Sequence, residues 1–314
     1  MFFTNQVGAY PHGGLLERSP GLGRVLYVHN TLGRAGNSGT VDAPLATVVG
    51  AIAALSSASN TENRGDTILC LEGHSEAVDT ATEFVLARAG VRIIGRGVGT
   101  RQPILQLATA TTATLNITAA NCEINNINIQ TAIASCAAAV TVSASNLKIR
   151  NCTFSESGSG TMLIAVSAPS TTDNTNDGLE MTDCNIALAS TATRQVILTA
   201  ANIAKVKILR NFGVIGVNVG FSIFQAATGK SWQSIEMREN VIQRANTDID
   251  TVKSLILSDT ATNSGMVCDN RFGHLDTAST SGGIDITGAM LIDNKAIGVV
   301  DASGLLLPAV DDNV

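Results

Sequence analysis

Short runs in which apolar and polar residues alternate recur through most of this chain, and most of them end in Asn or Asp. The run from Leu147 to Arg150 is typical, because Leu147 and Ile149 would face one way while Lys148 and Arg150 face the other. A two-residue period predicts β-strands with one buried face. The abundance of β-branched and small residues in these runs also favours strands over helices.

The polar residue that ends each run sets the length of a repeat. Successive anchor residues are separated by 25, 32, 28, 29, 30 and 24 positions. The anchors are Asn126, Asn151, Asp183, Asn211, Asn240, Asn270 and Asn294. Units of this length, with two or three short strands and no helix between them, predict an all-β, right-handed, single-stranded parallel β-helix of about eight coils.

We expect the seven anchors to lie at a bend and to stack as a ladder of hydrogen-bonded side chains. Asn tolerates the left-handed backbone region better than other non-glycine residues, and Asn side chains in register can bond to one another. The residue after each anchor is apolar until Arg271 and Lys295. That change predicts a core that closes toward the C-terminus.

The first 65 residues differ from the repeats. Residues 44–57 (PLATVVGAIAALSS) predict a helix with Asp42 as its N-cap and an apolar stripe along one side. A solenoid needs its open end covered, and this helix is suited to that position. The predicted organisation is an N-terminal arm (1–24), a strand, loop and capping helix (25–65), the β-helix (66–300) and a C-terminal tail (301–314).

The arm is apolar without the period of a strand or a helix. Its apolar residues are Phe2, Phe3, Tyr10, Leu15 and Leu16. Such a segment suits an anchor laid across the surface of a partner protein. The tail, residues 304–314 (GLLLPAVDDNV), has two interpretations, since it would either act in the same way or fold back over the last coil.

Composition limits the class of partner. The net charge is −6, only 15% of residues are charged and no basic stretch is present, which argues against nucleic acid and anionic membranes as partners. The six cysteines are scattered without metal-ligand spacing, so we expect free thiols and assembly in a reducing host cytoplasm. We also expect a soluble chain with no secretory signal or membrane span.

Several residues invite a catalytic interpretation. Cleavage of a glycan by a β-helix usually needs two carboxyl groups about 5 to 9.5 Å apart, or a lyase-type base with basic residues or a metal. The carboxylates expected to face outward are Glu123, Glu156, Glu180, Glu236, Glu239, Asp269 and Asp293. We interpret them as solvated strand residues, and only Trp232 offers an aromatic wall for a sugar. The sequence therefore predicts no catalytic residues and no enzymatic activity.

Three other motifs have simple structural interpretations. His74 lies near Glu72 and Glu76, and we interpret it as a turn histidine whose ring bonds to the backbone rather than as a general base. Residues 95–103 (GRGVGTRQP) lack the helix start that a nucleotide loop needs. Asp173 and Asp177 lie in a polar insertion whose spacing fits no known calcium loop. We expect neither a cofactor nor a metal.

The N-terminal third carries a set of linked motifs. They are a strand ending in Tyr27, Val28 and His29, a loop rich in Gly, Asn and Ser, the helix that follows Pro44, the segments Gly65 to Ile68 and Gly73 to His74, and GVRIIG at 90–95. From Val25 to about Pro103 this pattern resembles the opening of pectin-lyase-like β-helix proteins of tailed bacteriophages.

The resemblance implies a structural virion protein at the capsid surface. On this interpretation the chain is a capsid decoration (cement) protein that binds the major capsid protein as a homotrimer and reinforces the head. The alternative is a short tailspike, or another β-helix protein that binds or degrades polysaccharide. A fold specifies function poorly, so both remain open at this point.

Overall fold

The computed structural model describes residues 23–56, 65–188, 195–216, 223–244, 255–257, 263–273, 284–286, 288–297 and 304–305. Within these ranges the chain winds into a solenoid whose short strands stack into three sheets, with every pairing parallel except one at the end. The predicted all-β parallel β-helix is confirmed. The predicted partner-binding residues Phe2, Phe3, Tyr10, Leu15 and Leu16 and most of the predicted tail lie outside the described residues.

Between the first and the last coil of the described ranges, eight coils each contribute a strand to sheet A, then to sheet B, then to sheet C. Sheet A contains β1 (Val25–Val28), β2 (Thr67–Cys70), β5 (Arg92–Gly95), β8 (Glu123–Asn125), β11 (Lys148–Arg150), β14 (Glu180–Thr182), β18 (Lys207–Leu209), β22 (Ile235–Arg238), β25 (Gly265–Cys268) and β28 (Met290–Ile292). Sheet B contains β3 (Ser75–Val78), β6 (Ile104–Leu107), β9 (Asn128–Thr131), β12 (Thr153–Glu156), β15 (Asn185–Leu188), β19 (Phe212–Ile215), β23 (Val241–Arg244), β26 (Arg271–Gly273), β29 (Lys295–Ile297) and β30 (Gly304–Leu305). Sheet C contains β4 (Val85–Leu86), β7 (Leu115–Ile117), β10 (Val140–Val142), β13 (Ile164–Ala168), β16 (Gln195–Thr199), β20 (Phe224–Ala226), β24 (Leu255–Leu257) and β27 (Ile284–Ile286). A two-stranded sheet pairs β17 (Ile203–Ala204) with β21 (Trp232–Gln233), and a short 3-10 helix covers Gly99–Arg101.

The predicted inward and outward faces of sheet A are confirmed. Ile149 is fully buried and lies in register between Ile124 and Met181 of the neighbouring coils, which are also fully buried. Lys148, one position earlier, is only half-buried. Each large aliphatic side chain buried in this way contributes about 1.5 to 3 kcal/mol. Stacked coils therefore share one continuous aliphatic core.

Helix α1 (Val48–Ser56) covers the first coils, as predicted, but its start differs from the prediction. Leu45 is bonded in extended conformation to β1, since its N–H donates to the Tyr27 carbonyl at 2.8 Å. The helix therefore cannot begin near Pro44, and Asp42 is not its N-cap. Thr47 takes that position, with its Oγ1 accepting the N–H of Gly50 at 2.9 Å.

A second cap for α1 comes from sheet B. The carboxylate of Glu76 accepts the N–H groups of Val48 at 2.5 Å and Val49 at 3.1 Å. Glu76 occupies an inward position of β3 and is almost fully buried. A buried carboxylate at a helix N-terminus satisfies free N–H groups and is favoured by the helix dipole. This contact attaches the helix to the solenoid.

Two arginines hold the other end of α1. Arg24 and Arg88 donate to the Leu55 carbonyl at 3.3 and 2.8 Å. The buried Asp66 contacts both arginines. Its carboxylate accepts the backbone N–H of Arg24 at 2.6 Å and forms an ion pair with the guanidinium of Arg88 at 3.0 Å. Cations at a helix C-terminus stabilise its dipole. Among the helices of the described ranges, none is long and apolar enough to cross a membrane.

The structure separates the seven predicted anchors into two columns at the corner between sheets A and B. Three anchors adopt the left-handed bend themselves, namely Asn126 (φ 56°), Asn151 (φ 52°) and Asp183 (φ 55°). In the later coils the bend is adopted by the preceding residue, namely Arg210 (φ 52°), Glu239 (φ 58°), Asp269 (φ 57°) and Asp293 (φ 49°). The predicted alignment is therefore one residue out of register from Asn211 onward.

The last four anchors form a buried amide ladder. These residues are Asn211, Asn240, Asn270 and Asn294. The Nδ2 of each of the first three donates to the Oδ1 of the next asparagine, at 2.9, 2.8 and 2.8 Å. Each Nδ2 also donates to a backbone carbonyl of the preceding coil, at 2.8 to 3.1 Å. The predicted hydrogen-bonded ladder is thus present in four coils rather than seven.

Earlier coils fill the same inward column with Ile127, Cys152 and Cys184. The two thiols lie where the amides lie later, and each Sγ is 3.6 Å from a carbonyl oxygen of the preceding coil. Burial raises the pKa of Cys152 to about 12, so this thiol keeps the proton that it donates. The predicted closing of the core toward the C-terminus is wrong, because the column changes from apolar and thiol side chains to buried amides.

Candidate functional site

Outward side chains of sheet A form a row of alternating charge, which we call the charged row. It consists of Arg92, Glu123, Lys148, Glu180, Lys207 and Glu236. Each residue lies in register with the next, from one coil to its neighbour. Parallel strands are about 4.8 Å apart, so charges of the same sign recur roughly every 9.6 Å along the row.

Most of the row is internally paired. The ion pairs are Arg92 Nε with Glu123 Oε2 at 3.0 Å, Arg150 Nη2 with Glu180 Oε1 at 2.6 Å and Lys207 Nζ with Glu236 Oε2 at 3.0 Å. The hydrogen bond from Lys207 lowers the pKa of Glu236, so this carboxyl group is held in its ionised form. Arg150 belongs to the second outward position of sheet A, beside the row.

Lys148 is the exception. It lies in register between Glu123 and Glu180, but its Nζ forms no ion pair or hydrogen bond with any residue that the structure describes. Both neighbouring carboxylates are already paired with arginines, Arg92 and Arg150. The centre of the row therefore carries a cation that has no direct ion-pair or hydrogen-bond partner among the described residues.

An open cleft of about 350 Å³ borders this cation. Its lining consists of Gly90, Arg92, Asn121, Cys122, Glu123, Asn146 and Lys148. Asn146 donates to the Oδ1 of Asn121 at 3.0 Å, and both asparagines have positive φ at the corner between sheets C and A. Ammonium, guanidinium, amide and carboxylate groups together provide donors and acceptors for hydroxyl and carboxylate groups of a ligand.

The remaining predicted carboxylates lie elsewhere. Glu156 is not an outward residue, because it is in register with the buried Thr131 and its Oε1 accepts the N–H of Met162 at 2.9 Å. Glu239, Asp269 and Asp293 lie at the corner between sheets A and B and not in the row. Of the seven candidates, only Glu123, Glu180 and Glu236 therefore share one face.

His74 and Trp232 are both fully buried, which excludes direct contact with a glycan. The Nε2 of His74 lies 3.2 Å from Glu76 Oε2, and its Nδ1 has no hydrogen-bond partner among the described residues. The predicted bond from this ring to the backbone is therefore wrong. The indole of Trp232 donates to the Oγ1 of Thr199 at 2.7 Å and forms part of the core. The aromatic wall expected from Trp232 is thus also wrong.

The two polar loops are bonded to neighbouring coils. Asp173 accepts the N–H of Asn202 at 3.0 Å, and Asp177 accepts the N–H of Ala204 at 2.8 Å. In the glycine-rich loop at 95–103, the carbonyls of Gly95 and Gly97 accept from the side chain of Asn126 at 3.0 and 2.9 Å. These contacts use the polar groups of both loops to fasten one coil to the next.

Comparison with solved structures identifies the type of β-helix fold. No family model and no curated protein matches the chain. Among solved structures, it is similar to a pectin methylesterase from Aspergillus niger, with a TM-score of 0.51 and 14% identity over 90% of this chain and 87% of that chain. The fold is that of the pectin-lyase-like β-helix.

Two further structures show weaker likeness. A rhamnogalacturonan lyase gives a TM-score of 0.48 at 12% identity, covering 90% of this chain and 87% of that chain. The GH136 lacto-N-biosidase from Eubacterium ramulus gives 0.39 at 10% identity, covering 87% of this chain and 68% of that chain. At these identities the likeness shows the fold alone.

The prediction that the chain is not an enzyme is contradicted by this comparison. The pectin methylesterase that has a similar fold is an enzyme, so the fold gives no ground for that prediction. The comparisons give no support to a phage origin or to a role on a capsid. A capsid protein partner, a homotrimer and a location on a virion therefore stay predictions.

Proposed function

We propose that this chain is a polysaccharide-active β-helix protein that holds a glycan along the charged row of sheet A. The observation that carries the proposal is Lys148, a cation without a partner among the described residues. It borders the cleft and lies in register between Glu123 and Glu180, which are both paired with arginines. The similar pectin methylesterase is named for a polysaccharide, and this supports the class of ligand.

The shape of the row suits a linear polymer. Coils stack along the solenoid axis, so the row is straight and presents one charged group per coil. Sugar hydroxyls can donate to its carboxylates and accept from its cations. Single contacts of this kind are weak, but a polymer engages several at once, and the effective concentration for each further contact is then high.

The ion pairs of the charged row can be replaced by contacts with a ligand at little cost in stability. Ion pairs at a protein surface contribute only about 0 to 1 kcal/mol to stability, because the entropy lost by ordering two long side chains offsets most of their attraction. In these three pairs the cation is 36 to 48% exposed and the carboxylate 12 to 27% exposed. The three pairs in and beside the row are therefore not needed to hold the coils together, which the aliphatic core does. Their charges are available for charge-assisted hydrogen bonds with a glycan.

Binding to a panel of polysaccharides tests the proposal. In affinity gel electrophoresis with polygalacturonate, methylesterified pectin and dextran, we expect an acidic polymer to retard the wild-type protein, and Lys148→Ala to weaken that affinity at least fivefold. Lys295→Ala is the matched control, because Lys295 is an exposed lysine of sheet B near the C-terminal end of the solenoid, outside the charged row. Its affinity should equal that of the wild type.

The same incubations identify the reaction, when assayed for new reducing ends, unsaturated sugars and released methanol. Thermal melts followed by circular dichroism establish that both variants are folded. The proposal is contradicted if no polysaccharide binds, or if the Lys148 and Lys295 variants bind equally well.

A further inference from the structure

We infer that the glycan is a heteropolymer in which acidic and neutral sugars alternate. The inference rests on the proposed function and concerns the class of polymer that fits the charged row. Its basis is the strict alternation of sign over six successive coils, from Arg92 to Glu236.

The spacing of the coils sets the scale. One coil advances about 4.8 Å, which is close to the length of one pyranose residue in an extended chain, so a glycan along the row places about one sugar on each coil. Coils with Arg92, Lys148 or Lys207 then favour a sugar with an anionic group. Coils with Glu123, Glu180 or Glu236 repel an anion and accept hydrogen bonds from the hydroxyls of a neutral sugar.

Each carboxylate of the row is held by a donor at the second outward position of its own strand. These contacts are Asn125 Nδ2 with Glu123 Oε1 at 3.0 Å, Thr182 Oγ1 with Glu180 Oε1 at 3.2 Å and Arg238 Nη2 with Glu236 Oε1 at 2.6 Å. The acceptors are therefore fixed before a ligand arrives, which reduces the entropy that binding would cost. Lys148 has no such holder among the described residues and can turn toward an anion.

Other polymers satisfy the row less well. A polymer that is acidic at every sugar brings carboxylates against Glu123 and Glu180, and a neutral polymer leaves Lys148 without an anionic partner. If the alternation served only to neutralise the sheet, affinity would depend on total charge and not on its spacing.

Polymers of matched chain length separate these cases at one ionic strength. The alternating probes are hyaluronate and a rhamnogalacturonan backbone, the uniformly acidic probe is polygalacturonate and the neutral probe is dextran. We expect at least one alternating polymer to bind tenfold more tightly than polygalacturonate, and dextran not to bind. If polygalacturonate binds as tightly as both alternating polymers, the inference is overturned while the proposed function stands. If no probe binds, both are overturned.

A variant of the full chain tests the inference without depending on glycosidic linkage. Glu180→Gln removes the negative charge from the coil between Lys148 and Lys207, so it should raise the affinity for polygalacturonate about tenfold. The affinity for the preferred alternating polymer should change less than threefold. Glu239→Gln is the matched control, because Glu239 is exposed but lies at the corner outside the row. If both variants change the ratio of the two affinities equally, the inference is overturned. Thermal melts show whether the variants are folded.

Discussion

Replacing Ile149 with Asp should prevent the solenoid from folding at room temperature. Ile149 is fully buried between Ile124 and Met181, and the introduced carboxylate would have no partner there. Truncating a buried isoleucine alone costs about 2 to 5 kcal/mol. The buried charge adds several kcal/mol more, and the sum is comparable with the whole stability of a typical domain, about 5 to 15 kcal/mol. Circular dichroism should show loss of the β-sheet signal.

Lys148→Gln is the control for this prediction, because it changes the outward residue next to Ile149 on the same strand. A substitution at this half-buried surface position should change stability by less than about 0.5 kcal/mol. If the two variants have the same melting temperature, the assignment of the inward and outward faces of sheet A is contradicted.

Replacing Asn240 with Leu should have the second largest effect. The Oδ1 of Asn240 accepts the N–H of Asn211 at 2.9 Å, and its Nδ2 donates to the Ile208 carbonyl at 2.8 Å. Leucine has a similar volume but leaves both backbone groups buried without these partners. Each unsatisfied buried group costs about 1 to 3 kcal/mol, so we expect a loss of about 2 to 6 kcal/mol from the two groups.

Urea denaturation measures this loss as a lower midpoint with an unchanged slope. The matched control is Asn185→Leu, because Asn185 is an exposed asparagine at an outward position of sheet B. The free energy of unfolding of this variant should change by less than about 0.5 kcal/mol, so its urea midpoint should lie close to that of the wild type. Equal midpoints for the two variants would show that the amide ladder does not stabilise the solenoid.

The strands and the architecture could be predicted from the sequence because both follow from geometry. A strand turns successive side chains to opposite faces, so the two-residue period around Ile149 already contains the burial pattern that the structure shows. The same two-residue period excludes helical repeats of similar length. No property of a distant residue is needed for either conclusion.

Register within the repeat could not be predicted in the same way. Asn is favoured both at the left-handed bend and in a buried amide ladder, so the residue type does not distinguish Asn151 at the bend from Asn211 in the ladder. In the later coils the bend falls on Arg210 and Glu239, which are residue types that seldom adopt positive φ. Nothing local marks them as bend residues.

The error in register also concealed the candidate site. Counted back from the true bends, the members of the charged row from Glu123 to Glu236 each lie three residues before a residue with positive φ. Counted back from the predicted anchors, the same offset reaches the buried Ile208 and Met237 in the later coils. The alternation of charge was present in the sequence, but only the correct alignment brings it into one column.

Glu76 could not be assigned from sequence for a different reason. The alternation in Ser75–Val78 places it at an inward position, which is unusual for a carboxylate. Its partners are the first N–H groups of α1, 28 and 27 residues earlier in the chain. A contact over that distance depends on how the helix docks, and the period of one strand does not contain it.

Footprinting of lysines by acetylation, with and without a bound glycan, tests the central claim most directly. If the glycan lies along the charged row, mass spectrometry should show several-fold slower acetylation of Lys148 and Lys207 in the complex, with unchanged rates at Lys230 and Lys295. Equal protection of all four lysines, or protection of Lys230 and Lys295 without Lys148, would contradict the claim that sheet A is the glycan-binding face.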